Sequence, residues 1–498
     1  MGEVLELERG PRYGDRFDVT IEELNAKGLG VARVSAVVGP GKQAHDYEIL
    51  VHKAVPGDVV RAEVERYRRG EVTCRVAEIL TPSPMRVAPE CQHFGFRSEQ
   101  GKGCGGCTMQ GLSYRHQLMI KERLVKQHMI RAGHDPGWVL PVMEAPSPWY
   151  YRNKMEFSFG DNPHDPLALG MHPSGYRYDV LALKECRLQS EFATCLHEIT
   201  AWAYEAGLKA HVRDGDGGWL LQLMVREGKH TGERLVELMT TAAPQVLFRG
   251  EEVESEGVAR ELCAHIQRIA DAAGFEITSV YWTQHHAQRG QPTRLIEHHL
   301  AGRPTLREEL HLPGDHVLSF EVHPRAFFQP NTFQAERLYG EALRAAGLLG
   351  GDNPPGVALD LYCGTGTIGL AMAPHAQQVV GVEINEEAVV NARHNAAHNG
   401  ITNAQFFAGD VGDVLAREGF SSIDLVVVDP PRAGLAPQAR RELAAIGAPR
   451  LVYVSCNPKA LATDLVDLLA AGYRVEQIQP VDMFPHTRHI ECVAALVR

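Results

Sequence analysis

Nowhere do these 498 residues sustain the ~20 consecutive apolar positions that a membrane-spanning helix needs. The first ten residues, Met1 to Gly10, lack both a basic start and a hydrophobic stretch, so no secretory leader is expected. An excess of positive charge is missing too: 62 Asp and Glu outnumber 50 Lys and Arg, for a net charge of −12. That balance excludes indiscriminate binding to phosphate backbones, because such affinity comes from basic density. A cytoplasmic monomer with no membrane partner is the expectation, and ten cysteines without a leader suit a reducing compartment. What is present is length enough for about three domains and a 44% hydrophobic content that can fill their cores.

The C-terminal third is the most informative part. Asp424-Leu-Val-Val-Val-Asp-Pro-Pro-Arg432, Leu451-Val-Tyr-Val-Ser-Cys-Asn-Pro458 and His489-Ile-Glu-Cys-Val493 each put a reactive side chain at the end of an apolar strand. In an open parallel α/β sheet the carboxyl ends of the strands share the edge where ligands bind, so Asp429 and Cys456 should face one crevice. If the strand from Ile490 to Val497 runs antiparallel, Glu491 starts it at the same edge. Upstream, Val357-Ala-Leu-Asp-Leu-Tyr-Cys-Gly-Thr-Gly-Thr-Ile-Gly-Leu370 reads as strand, glycine turn and helix, and Gln378 to Glu383 as a second strand ending in an acid. The glycines match G-x-G-x-x-G, which alone would also fit a dinucleotide enzyme. Asp360 and Cys363 interrupt the approach, however, and the Asp-x-x-x-Gly-x-Gly arrangement resembles motif I of the class I S-adenosylmethionine (AdoMet) methyltransferases.

A thiol beside AdoMet suggests one reaction in particular. Pyrimidine C5 is not nucleophilic in the resting base; a thiolate added to C6 makes it so, and a base must then remove the C5 proton before the thiol can leave. Cys456 would be the nucleophile and Glu491 the base, a job a carboxylate can do at neutral pH. Against this stand bland readings. Cys363, Cys492, Cys195 and Cys263 are expected to be buried hydrophobes, and Glu491 would be an edge residue paired with Arg488.

At this point the chain resembles the TRAM-domain RNA (uracil-5-)-methyltransferases, which make 5-methyluridine in tRNA and 23S rRNA, over nearly its whole length. The resemblance implies AdoMet contacts at Gln329 of Phe327-Phe-Gln-Pro-Asn331, Tyr362, Thr367, Glu383, Asp410 and Asp429. It likewise implies Cys456 as nucleophile and Glu491 as base. Phe327 is an aromatic on which a displaced base could stack. Cytosine-C5 methylation fits less well, since such DNA enzymes use a Pro-Cys segment far from the chain end. A non-catalytic RNA-binding or chaperone protein on the same fold is the rival from another class.

Cys91, Cys104, Cys107 and Cys186 form a quartet with one C-x2-C pair. Four cysteines in a cytosolic chain bind metal more often than they form disulfides. A zinc ribbon wants two such pairs, which disfavours it without excluding zinc, and the C-x3-C-x2-C of radical-AdoMet enzymes is absent. In the resembling family this arrangement carries a [4Fe-4S] cluster, read here as structural, although the Cys91 to Cys104 gap, with Arg97, Glu99 and Lys102, is longer than usual there.

From Asp15 to Leu80, five short alternating runs separated by glycines suggest a small OB-like barrel, and Gly28-Leu-Gly-Val-Ala32 with Val55-Pro-Gly-Asp58 is similar to a TRAM domain. Residues 61–75 hold five arginines, Arg69 among them, against three glutamates; residues 112–133 hold five basic residues against Glu122 and read as an amphipathic helix, either facing RNA or merely solvated. Thr81-Pro-Ser-Pro84 reads as a linker, Arg152-Asn-Lys154 is a basic pair of little weight, and residues 351–356 form a loop into the last sheet. The expected organisation is thus an N-terminal OB-like RNA-binding barrel at 14–80, a central α+β iron-sulfur domain at 81–326, and an α/β class I (Rossmann-like) methyltransferase domain at 327–498.

Overall fold

The computed structural model describes residues 5–7, 9–38, 43–68, 71–95, 103–162, 165–176, 178–211, 217–287, 290–350, 354–418 and 422–498. Arg69, the charged Arg97, Glu99 and Lys102, and residues 351–353 fall outside them. Three seven-stranded sheets organise the described residues.

In the first sheet the strands Arg16–Thr20, Gly30–Val38, Gln43–Val51, Val59–Arg68 and Glu71–Thr81 match the five runs expected, mostly at greater length, with the short Leu5–Leu7 and Glu23–Leu24 added. Their alternation turns Phe17, Val34, Ile49, Ala62 and Val76 into one shared core, so the sheet curls around them. The stretch after Thr81 is not a free linker. Ser83 is buried, and its N–H donates to Asp58 Oδ1 at 2.9 Å. Asp58 also accepts from the Val55 N–H at 2.8 Å and Arg86 Nε at 2.9 Å. Against its burial, these donors hold the Asp58 carboxyl below the usual range.

The central sheet runs from Lys154–Gly160 to Arg294–Gly302, with a parallel pair only between Arg234–Thr241 and Ser279–His286. The helix Ser255–Ala272 presents Val258, Leu262 and Ile266 to its core. The basic run near residue 120 does form a helix, α1 (Tyr114–Arg131), with Gln117, Lys121, Val125 and Met129 buried on one face. Val125 and Met129 join the core of the last sheet, so this part of the 81–326 stretch packs on the C-terminal sheet.

That last sheet comprises β1 (Val357–Leu361), β2 (Gln378–Glu383), β3 (Ala404–Ala408), β4 (Leu425–Val428), β5 (Arg450–Ser455), β6 (Arg474–Val481) and β7 (Glu491–Val497), in spatial order β3-β2-β1-β4-β5-β7-β6. Its first five strands are parallel, and β7 is antiparallel to both β5 and β6. The carboxyl ends of β1 to β5 and the start of β7 therefore share one edge. Helices α2 (Thr332–Ala345), α3 (Thr367–Met372), α4 (Glu386–His398) and α5 (Pro458–Ala470) cover the faces. No helix among the described residues is long and apolar enough to cross a membrane.

Candidate active site

Every feature of the shared edge follows from how each strand ends. After β1 the chain reverses through Tyr362 at φ 61°, Gly364 at 52° and Gly366 at 82°. A Cβ on Gly366 would lie 2.8 Å from the Phe406 ring, so the turn has room for glycine alone. Asp360 Oδ2 accepts the Gly369 N–H at 2.7 Å, pinning the start of α3 to β1. Beyond β5, Ser455 Oγ accepts the Asn457 N–H at 3.1 Å, and Asn457 Nδ2 donates to Arg432 O at 2.9 Å. Asn457 is also the N-cap of α5, its side chain accepting the Lys459 N–H. Cys456 thus sits one residue before a helix N-terminus, whose partial positive charge favours a thiolate.

Ser455 pairs with Cys492 across β5 and β7, so the next residues beyond them, Cys456 and Glu491, stand opposite each other. Because β7 lies between β5 and β6 and Glu491 is buried, the bland alternative of an exposed edge residue is set aside.

A cavity of about 1180 Å³ opens over this edge. It gathers Cys456, Glu491, Asp429, Gln329, Tyr362 and Thr367, with exposed Phe327 on its wall. Two of the expected cofactor contacts are not in its wall. Glu383 instead accepts the Gly364 and Asn385 N–H groups at 3.2 and 2.9 Å, bracing the glycine turn, and exposed Asp410 accepts the Gly412 N–H at 2.9 Å. Glu383 still ends β2, and Asp410 follows β3, at the same edge. Of the four cysteines expected to be inert, Cys492 and Cys263 are buried and Cys195 half-buried, but buried Cys363 also reaches the cavity wall.

The electrostatics are dominated by carboxyl groups kept from water. Burial, with repulsion from Asp429 and Glu383 and against the Gly369 hydrogen bond, pushes Asp360 up to about 8. Burial alone takes Asp429 to about 7. Glu491 is raised well above the carboxylate range by burial and then by Asp429, with Arg432 opposing. The Cys456 thiol rises to about 11 through burial and its neighbours Glu491 and Asp429, again against Arg432. Arg432, Arg488, Arg152 and Lys27 supply the cavity's cations. Arg432 is legible in its segment, whereas Tyr339, reaching in from α2, leaves no signal beyond helical spacing.

The quartet lies apart. Cys91, Cys104, Cys107 and Cys186 line one small cavity walled by Met155, Met171 and Leu188, and all four are free thiols. Burial raises Cys107 to about 12 and Cys186 to about 11. The Gly106 N–H reaches Cys104 Sγ at 3.4 Å, and the backbone at Leu188 and Gln189 donates to Cys186. Buried Lys53 of the first sheet donates to Gly95 O and Cys104 O at 3.0 and 2.9 Å.

Sheet order, glycine turn and ligand edge define a class I methyltransferase fold. The profile of the tRNA (uracil-5-)-methyltransferase family matches residues 299–498. Uncharacterised RNA methyltransferases of Caldanaerobacter subterraneus and Protochlamydia amoebophila are 35% and 36% identical, covering 97% and 89% of this chain and 99% and 98% of their own lengths. A solved structure of the Pyrococcus abyssi tRNA (uracil-54, C5)-methyltransferase with S-adenosyl-L-homocysteine is similar at a TM-score of 0.69 and 27% identity, covering 97% of this chain and 100% of that one. The chain belongs to a family of RNA methyltransferases, with the tRNA (uracil-5-)-methyltransferase profile over residues 299–498, which removes the dinucleotide-enzyme and non-catalytic readings.

Proposed function

We propose that this enzyme methylates C5 of a uridine in structured RNA, tRNA or 23S rRNA, through a covalent adduct with Cys456. The observation that carries the reading is the confrontation of Cys456 and Glu491 across β5 and β7, in one cavity with the glycine turn. The Cys456 thiolate forms a bond to C6, and C5, now enolate-like, takes the methyl group. Glu491 then removes the C5 proton, and the C6–Sγ bond breaks to return the thiolate. AdoMet, when bound, supplies the methyl group and a sulfonium charge. The cavity fits it: Asp360 Oδ1 is buried without a partner, and no cation offsets the raised Asp360 and Asp429 carboxyls. Gln329, Tyr362, Thr367 and Asp429 would hold it, with Glu383 and Asp410 at the ends of β2 and β3. The target base must leave its stack to reach Cys456, and Phe327 offers a surface for what replaces it.

The four cysteines suit a [4Fe-4S] cluster, which requires four thiolates. Their thiols share a cavity with N–H donors and a nearby ammonium that favour the charged form. On this reading the chain is a TRAM-type barrel at 14–80, an iron-sulfur domain at 81–326 that lends α1 to its neighbour, and a methyltransferase domain at 327–498.

The nucleophile is tested with RNA carrying 5-fluorouridine, whose C5 fluorine cannot leave as a proton. The purified protein should form a denaturant-resistant adduct that Cys456→Ala abolishes. Crosslinking or methylation by the alanine variant would overturn the assignment.

A further inference from the structure

Residues 482–489, between β6 and β7, lead the chain to Glu491, and four separate parts of the protein hold their backbone. Met483 O accepts from Asn331 Nδ2, Phe484 O from Lys121 Nζ and Pro485 O from the Tyr151 hydroxyl, each at 3.1 Å. His486 O accepts from the Thr108 and Met109 N–H groups at 2.9 and 3.0 Å. His486 itself has a φ of 64°, a conformation that L-residues rarely adopt. It is fixed by Gln117, which accepts its N–H at 2.9 Å and lies 3.1 Å from Nδ1, and by Trp149 stacked at 3.7 Å. Lys121, fully buried, donates to equally buried Asp482 at 2.5 Å.

A connecting loop that only joined two strands would be left to water. This one is tied down by groups the reaction does not otherwise use. Gln117, Lys121, Tyr151 and Asn331 stay outside the wall of the catalytic cavity but bond to the segment, which itself lends Phe484, Thr487, Arg488 and His489 to that wall. Cys456 is held independently, by Ser455, Asn457 and the start of α5, and the glycine turn hangs from β1.

We infer that residues 482–489 form a clamp through which α1 and the cysteine-bearing loop set the position of Glu491, making Gln117, Lys121 and Tyr151 positioning residues for proton removal. Loosening it displaces the base while nucleophile and methyl-donor pocket keep their places. Because the N–H groups bonded to His486 O follow directly on Cys107, the conformation of the four-cysteine site is transmitted to the base. The inference rests on the reading of Glu491 as that base.

Gln117→Met and Tyr151→Phe remove hydrogen-bonding groups with little change of volume. Each full-length variant is given radiolabelled AdoMet and total RNA from a strain lacking the enzyme, with thermal melting as a check on folding. First-turnover methyl incorporation should stay within about twofold of wild type while steady-state turnover falls about tenfold or more, the scale expected of a slightly misplaced catalytic group. A methyl-labelled protein–RNA adduct stable to detergent should accumulate. A parallel fall of both rates without adduct, or unchanged turnover, overturns the clamp. Glu491→Gln run alongside separates the two readings: no methylated adduct from it overturns Glu491 as base, whereas adduct from it and none from the clamp variants overturns the clamp alone.

Discussion

At the scale of single residues, the reaction asks for groups whose proton affinities the fold has moved. Glu491 can take the C5 proton only when ionised, and burial and the Asp429 charge both raise its affinity. Turnover should therefore rise with pH and fall as Glu491 protonates on the acid side. Asp429→Asn removes one cause of the upward shift, so the acid limb of its pH–kcat profile should move to lower pH, at a reduced overall rate. An unmoved limb would detach Asp429 from Glu491. Asp360 allows a stability test with the opposite dependence. Its carboxyl is held up at about 8, so between the ordinary carboxylate range and that value the folded protein binds a proton that the unfolded chain has released. Stability from this group is present at low pH and is lost as pH rises through the window. The melting temperature should fall between pH 5 and pH 8, and fall less in Asp360→Asn. Asp429 and Cys456 were legible because each closes an apolar run, and Glu491 because it opens one. The role of Asp360 was not, since its burial beneath the turn depends on α3 folding back over β1.

Among elements, the parallel strands β1, β2, β4 and β5 were legible almost to the residue, because fully buried parallel strands read as short apolar runs closed by glycine, proline or acid. The run from Ile490 begins one residue before β7, whereas β6, with its charged and polar Arg474, Glu476, Gln477 and Gln479, left no such run. Helix α1 shows where periodicity stops informing. Its spacing gives a helix, but not that its inner face would carry Gln117 and Lys121 or that it would pack on a sheet formed by the far end of the chain. The Lys121–Asp482 pair joins positions 361 residues apart, and no local pattern marks either partner. Counting Lys121 among surface cations was the natural reading of a basic run, and burial overturns it. Removing one partner of a buried pair leaves an uncompensated charge, so Lys121→Met should cost about 3–5 kcal/mol in denaturant unfolding. Asp482→Leu added to it should recover most of that loss, and a double variant as unstable as the single would show that the pair is not the cause.

For the whole molecule, the three regions of the chain meet over one cavity, the first two through loops beside their sheets. Lys27 and His52 reach it from the first sheet, Gly105, Thr108 and Arg152 from the central stretch, and the catalytic groups from the last. The Gly28 turn shows how closely they approach: a Cβ there would lie 3.1 Å from Thr108 Oγ1 and 3.4 Å from Arg488 Cβ. Arg488 in turn donates to Ala26 O at 2.6 Å. The first sheet, the cysteine loop and the segment before Glu491 are thus one contact system, a feature of tertiary assembly that no single motif encodes. The cysteine loop bears Cys91, Cys104 and Cys107, none of them in a disulfide. Anaerobically purified protein should contain about four iron and four sulfide per chain, as a cluster with four cysteine ligands requires, and Cys104→Ser or Cys107→Ser should lose both. Stoichiometric zinc without iron or sulfide would defeat the cluster reading. Because Thr108 and Met109 hold His486 O, stripping the metal should also release the neighbouring segment, so limited proteolysis of metal-free protein should gain cleavage within residues 482–489 while sites in the first sheet stay protected. Uniform cleavage throughout the chain would mean that the cysteine site supports the fold at large and has no particular hold on the base.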